Sequence, residues 1–386
     1  MTRRFPILLI VTALLGGAAP SGQTGAAADV AAAIDKLGSF DFATRTEASR
    51  TVRRASPELV VSALVRATRE HTDEYVRYRA LVLLSGFGDA TAAARMAEVI
   101  PDKNDRLRAV AYGWFERHPD AAMLPPLIDA LARERSEFVR PALTRAIAAQ
   151  GGDPRARAAL IPLVTRGEDF FRGAVIDALG DYRGGYALEP IAEVARLDGP
   201  LQDDAIAAIG KIGDQSMLSL LAALQKTVPA NVRPTIAAAV CLLGDNCEAQ
   251  EDYLEKALAF AASGEENQSL LRGVSHALGV LARRGRPGAL STLLGVSTAS
   301  REAVRAPVAL SVGMVAVRNP EVILKALESR TDRDAVIELL RDGFDMLSED
   351  FEEEQFYVAV RREFWAAPAG SPRRQVAEAL ISRLEF

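Results

Sequence analysis

The chain has 386 residues, 49% apolar and 25% charged, with 46 bases against 51 acids. That is enough apolar material for a sizeable core, and with aromatics at 6% and abundant alanine it suits packed helices better than a sheet sandwich. A net charge of −5, with acids and bases interleaved, excludes the basic footprint of a nucleic-acid binder.

Residues 1–28 have the form of a signal peptide. Arg3 and Arg4 make a positive start, Phe5 to Leu15 is an apolar run, and Ala26-Ala27-Ala28 offers an Ala-x-Ala cleavage site before Asp29. The apolar run falls short of the about twenty residues that span a bilayer. Pro6 sits where a twin-arginine signal prefers an apolar residue, so ordinary secretion is expected, with a retained anchor as the alternative. Cleavage leaves 44 bases and 51 acids, a net of −7. Further on, no run of eighteen apolar residues occurs. The expectation is an exported protein, periplasmic or fully secreted, with no integral membrane segment after cleavage.

From residue 29 to 319 the chain reads as a repeat array. Val76 to Asp89, Val-Arg-Tyr-Arg-Ala-Leu-Val-Leu-Leu-Ser-Gly-Phe-Gly-Asp, recurs with variation. Taking Ser85 as a register mark, equivalents fall at Glu116, Ala148, Gly180, Gly210, Cys241, Gly279 and Gly313, with spacings of 31, 32, 32, 30, 31, 38 and 34. A sustained period of this size marks a solenoid. An apolar residue precedes each mark, and another sits five places before it, which puts an apolar face on one helix per repeat. A second helix precedes each phrase, as in Pro57 to Leu64, Leu124 to Leu131 and Leu188 to Ala195. Between them Gly88-Asp89, Gly152-Asp153-Pro154 and Gly213-Asp214 supply helix stops and caps. No run alternates with period two, so no strands are expected. The fold class is therefore all-α: an α-α superhelix of about ten helical pairs.

The paired helices and the phrase Val-Arg-x-x-Ala…Ala-Leu-Gly…Gly-Asp resemble HEAT repeats, particularly the short bacterial kind related to phycobilisome-lyase repeats. The resemblance covers about Phe40 to Asn319, with divergent copies at Asp334 to Gly343 and Pro372 to Leu384. It implies that the second helix of each pair lines the concave side and that its arginine reaches a neighbouring aspartate turn. Arg77, Arg108, Arg140, Arg172, Arg233 and Arg305 match that arginine, whereas Gln202 and Leu271 replace it. The resemblance also implies binding on the concave face, where Tyr78, Arg79, Tyr112, Arg145, Asp177 and Lys211 are the expected contact residues.

Chemistry-bearing motifs are few. His71, His118 and His276 stand alone in different repeats, without metal-ligand spacing. The HEAT-repeat iron hydroxylases use repeated His-Glu pairs, which this chain does not have. Gly273-Val274-Ser275-His276-Ala277 approaches a nucleophile elbow, but Ser275 falls inside a repeat helix instead of at a strand-to-helix apex. No metal, cofactor or catalytic residue is expected, and the chain reads as not an enzyme. Cys241 and Cys247, six residues apart across a helix end, either form a disulfide or remain free thiols.

Two stretches break the period. The excess between Cys241 and Gly279 lies in Asp245 to Gln268, as a longer first helix or a longer loop. Residues 320–386 read as divergent repeats and a cap. They contain the acidic run Asp345 to Glu354 followed by Phe356, Tyr357, Phe364 and Trp365. This segment is a cap packed over the last repeat, a partner-docking patch, or, at Asp350 and Glu352 to Glu354, a calcium ligand set without EF-hand spacing.

Long, shallow solenoid surfaces suit extended polypeptides. The expected function is an exported, non-enzymatic scaffold that binds another protein or a peptide on its concave face. A lyase-like or chaperone role on a tetrapyrrole-carrying protein, and surface-polymer binding, are the alternatives.

Overall fold

In a computed structural model the structure describes residues 21–386 except 89, 198, 297–300, 348–349 and 385. Of the expected signal peptide, residues 1–20 lie outside the described residues, as do Asp89 of the first helix stop and two residues of the acidic run, Ser348 and Glu349. Twenty-two α-helices follow one another, and no strand occurs among the described residues. The helices pair as the period predicts. An N-terminal pair, α1 (Ser21–Lys36) and α2 (Phe42–Arg54), is followed by α3 (Pro57–Glu70) with α4 (Glu74–Ser85) and α5 (Ala90–Val99) with α6 (Asp105–Arg117). Next come α7 (Leu124–Arg133) with α8 (Arg140–Ala148), α9 (Pro154–Leu160) with α10 (Asp169–Asp181), and α11 (Leu188–Arg196) with α12 (Gln202–Ile212). The array continues with α13 (Leu218–Leu224) and α14 (Arg233–Leu242), α15 (Cys247–Ser263) and α16 (Gln268–Arg283), α17 (Pro287–Gly295) and α18 (Glu302–Arg318), and α19 (Pro320–Glu328) and α20 (Arg333–Leu347). A last pair, α21 (Asp350–Ala366) and α22 (Pro372–Arg383), closes the chain.

Each even-numbered helix from α4 to α20 packs on the next even-numbered one, which makes an inner row. The register marks are where these helices approach. A Cβ on Gly180 would lie 2.8 Å from Ala208 Cα, and one on Gly210 would lie 2.6 Å from Ala239 Cα. Gly343 plays the same part against α18, where its Cβ would meet the Ala309 carbonyl oxygen at 2.4 Å. The stack thus runs on through α20. The apolar residues five places before the marks, Ala80, Ala111, Leu143, Val175, Ala205, Ile236, Val274 and Val308, are all buried. One two-helix unit cannot bury its stripe alone, and stacking covers it.

The turns follow local rules. Asp73, Asn104 and Asp153 each accept a hydrogen bond from a backbone N–H of the helix that follows. Gly213 ends α12 in the left-handed region at φ 87°, which a side chain would strain. The excess residues after Cys241 go into a longer first helix, the 17-residue α15. Cys241, at the buried end of α14, and Cys247, at the start of α15, are joined as a disulfide.

The expected ladder of arginines onto aspartate turns is corrected. Arg108 donates to the Asp102 and Lys103 carbonyls and to Glu134, Arg140 to the Glu134 carbonyl, and Arg172 to the Val164 carbonyl. Arg77 pairs with Glu74 on its own helix, Arg305 with Asp342 of α20, and Arg233 lies near Tyr253. The recurrent partner is a main-chain carbonyl at the end of the preceding helix or in the turn just past it. Outside the predicted set, Arg45, Arg157 and Arg333 reach back six residues in the same way, to Ser39, Gly151 and Leu327. A cation there satisfies carbonyls of the turn or of the last helical residues and suits the negative end of the helix dipole.

In α1, residues 25–29 are exposed and Val30 is the first buried residue. The expected cleavage point before Asp29 therefore lies just outside the core. Among the described residues no single helix is long and apolar enough to cross a membrane, and α18 and α19, which reach that length together, bend by 110°.

Candidate functional site

The inner row curls until its ends meet, and α21 lies in the space between them, packed on α4, α6 and α18. Phe351, Phe356 and Val360 are buried, while Asp350 and Glu352 meet arginines of the inner row and Glu354 meets Arg53 of α2. Gly113 of α6 makes room for the first ring, since a Cβ there would come within 2.5 Å of Phe351 Cδ1. Gly86, after α4, leaves similar room for Glu354.

The carboxylates of Glu352 and Glu354 are enclosed in their ion pairs, whereas Asp350 keeps 29% of its side chain exposed. Glu354 accepts two hydrogen bonds from Arg53 of α2, at 2.6 and 2.9 Å, and one from Arg361 at 3.1 Å. Asp350 pairs with Arg79 at 2.7 Å. Glu352 accepts from Arg117 and lies 3.5 Å from Arg318 and 3.9 Å from Arg145. Glu116 completes this cluster, accepting from Arg145 at 2.9 Å, Arg318 at 2.8 Å and the Tyr182 hydroxyl at 2.9 Å. Burial opposes charge on both glutamates, but the guanidinium groups outweigh it. Glu352 is held at about 2, and Glu116 also lies below its ordinary range. Among the described residues Glu353 has no such partner, and burial and the nearby Asp350 and Asp345 push it up to about 8.

The helix therefore answers the open readings of the acidic segment with a fourth arrangement. It does not sit over the last repeat alone but reaches back to the first ones. The carboxylates of Asp350, Glu352 and Glu354 face arginines, which corrects the calcium reading.

Beyond α21 the inner surface stays open around a cavity of about 260 Å³, lined among others by Glu116, Asp181, Lys211, Arg283 and Arg284. Lys211, itself buried, donates to Asp177 at 2.5 Å and lies 3.0 Å from Asp181. His276, exposed toward this region, is held down at about 4 by desolvation within the concave surface and by Lys211 and Arg283.

The six expected contact residues separate into three groups. Arg79 and Arg145 are on the inner surface and engage α21. Asp177 and Lys211 pair with each other at the open cavity. Tyr78 and Tyr112 are buried, Tyr78 beneath Asp350 and Tyr112 with its hydroxyl on Glu134, so neither is presented to a partner. Sequence reading missed Arg117, Arg318, Glu116 and Glu352 as members of one cluster, and Arg53 with Glu354 as a second contact of α21. One signal was available: Glu116 is the single charged residue at a register mark otherwise filled by small ones. Ser275, of the near-elbow, is buried inside α16, as expected.

Comparison with known proteins adds little beyond architecture. No protein-family model and no curated protein matches the sequence. Among solved structures, YibA of Escherichia coli is 17% identical over 56% of this chain and 81% of its own, with a TM-score of 0.41. Kap121p, bound to Nup53p, is 13% identical over 94% of this chain and 50% of its own, also at 0.41. Human deoxyhypusine hydroxylase, in complex with glycerol, is 20% identical over 69% of this chain and 98% of its own, at 0.29. The chain is an α-α solenoid. The hydroxylase corrects the expectation that it is not an enzyme. A chain matched to this one is catalytic, so the repeat architecture does not exclude a reaction, and a likeness this distant assigns none.

Proposed function

We propose that the protein is an exported helical-repeat scaffold that binds another protein or a peptide on its inner surface. The observation that carries this reading is the occupant already there. α21 is an acidic, aromatic helix, Asp-Phe-Glu-Glu-Glu-Gln-Phe, held by Arg53, Arg79, Arg117 and Arg318 with Phe351 over Gly113. A surface built to take this helix from its own chain carries the charge and the ring-sized gap to take a similar acidic segment from a partner in its place. Its chemistry is guanidinium–carboxylate pairing, which favours a polypeptide over the tetrapyrrole-protein and surface-polymer readings. The signal-like residues 1–28 support export.

Fixing α21 in place tests this. Ser85 Oγ accepts from Gln355 Nε2 at 3.1 Å, so the two positions face each other, and the double substitution Ser85→Cys, Gln355→Cys gives thiols that a short, reducible disulfide-forming cross-linker can join. The full chain, used as bait on its native exported fraction, is expected to retain a partner when that link is reduced and to lose it when the link is formed. Equal retention in both states would place binding elsewhere and overturn the reading.

A further inference from the structure

The cavity beside α21 has more positive charge than its carboxylates neutralise. Glu116 and Glu352 are shared among Arg117, Arg145 and Arg318, while Asp177 and Asp181 both fall to Lys211. Among the described residues, Arg283 and Arg284 are left over. Arg283 lines the cavity within the electrostatic reach of Asp177 but forms no ion pair with it, and Arg284 donates only to the Gly180 and Lys211 carbonyls. Arg183 adds a third charge next to Arg284, from a left-handed backbone at φ 52° that costs a non-glycine residue about 1–2 kcal/mol. Asp204 stands behind Asp177. Counting it and the neighbouring Asp203, seven cations stand in and around the cavity against six carboxylates.

The donors also have unused capacity. Arg117 Nε is buried without a hydrogen-bond partner, and Arg284 spends a single terminal nitrogen on its two carbonyls. A buried donor left unmet costs roughly 1–3 kcal/mol. Guanidinium groups are forks that match the oxygens of a tetrahedral anion in pairs. At about 260 Å³ the cavity far exceeds the ~10–15 Å³ that one water needs.

We propose that this cavity is a binding site for a phosphate-type dianion, held by Arg283 and Arg284 with Arg117 at its edge. The dianion is either free inorganic phosphate or the phosphate monoester of a larger ligand. The proposal stands on the cavity and not on α21, so it survives failure of the protein-partner reading.

Equilibrium dialysis of the full chain with inorganic phosphate, at ionic strength held constant with chloride, tests it. The expected result is one phosphate per chain, with affinity reduced at least tenfold by Arg283→Gln. That substitution breaks no ion pair, so the melting temperature without phosphate should not move. Should the variant fail to fold, protection of Arg283 from phenylglyoxal by phosphate reads the same site on the wild-type chain. A parallel arm with glycerol phosphate separates the sources: tighter binding of the ester points to a larger ligand, and equal or weaker binding to free phosphate. No binding above the chloride control, equal binding by the variant, or unprotected Arg283 would overturn the proposal.

Discussion

Glu354 of α21 accepts both hydrogen bonds of the Arg53 fork from α2, at 2.6 and 2.9 Å, across 301 positions of sequence. Both side chains are almost wholly removed from solvent, at 1% and 7% exposure. An ion pair so enclosed contributes little net stability when intact, because desolvation offsets attraction, but breaking it leaves a buried charge alone. Glu354→Gln strands Arg53 and removes the partner of Arg361. We expect a loss of roughly 3–5 kcal/mol in the unfolding of the closing pair. Hydrogen exchange should show α21 and α2 losing protection together while α10 to α14 keep theirs. Uniform loss along the array would mean that the contact is not a local clasp.

The seat of Phe351 gives a second test that leaves every charge in place. Gly113→Ala puts a methyl group 2.5 Å from the ring, closer than real contacts allow. Either the ring or α21 must move, at a cost of about 1–3 kcal/mol. The expected outcome is a lower melting temperature, with partner binding strengthened if α21 yields its place more readily. An unchanged melting temperature would show that α21 does not depend on this gap.

The two layers of this architecture differ in how far sequence reveals them. The array was legible because its contacts are local and repeated. Ser85, Gly180, Gly210 and their counterparts recur at one spacing since each meets the same neighbour one repeat later, and backbone approach demands small residues each time. The placement of α21 is a single event. Glu352 finds Arg117 after 235 positions, and nothing periodic announces it. The acidic run was conspicuous, yet its residues fit a solvated face as well as a clasp, and only the curl of the whole array decides between them. Tyr78 and Tyr112 failed as surface residues for a related reason: helical spacing fixes a face within one helix but not which neighbour covers it.

The register itself can be tested by one methyl group in two places. Gly210→Ala would set a Cβ 2.6 Å from Ala239 Cα, where backbone must shift, so about 1–3 kcal/mol of stability should be lost. Gly295→Ala, at the end of α17, meets nothing within 4 Å and is expected to gain roughly 0.5–1 kcal/mol by restricting the unfolded chain. Denaturant midpoints of the two variants should move in opposite directions. A stable Gly210→Ala would mean that α12 and α14 do not approach as described.

Adjacent glutamates in α21 should govern opposite limbs of the stability–pH profile. Glu352 is held at about 2, below its ordinary 4.5. A depressed carboxyl contributes stability that is complete above about pH 4.5 and is lost as pH falls toward 2. Glu353 is raised from 4.5 to about 8, so its folded form holds its proton longer than the unfolded chain does. The stability tied to that proton is complete below about pH 4.5 and drains away as pH rises through 8. Glu353→Gln keeps the neutral shape and removes the titration. It should match the wild type near pH 4 and exceed it at pH 9, with the alkaline slope of the denaturant midpoint reduced. Glu352→Gln should instead flatten the acid limb and lower stability at neutral pH, because Arg117 loses its counter-charge. An alkaline slope that survives in Glu353→Gln would assign that limb to another group and would contradict the half-buried setting of Glu353 beside Asp350 and Asp345.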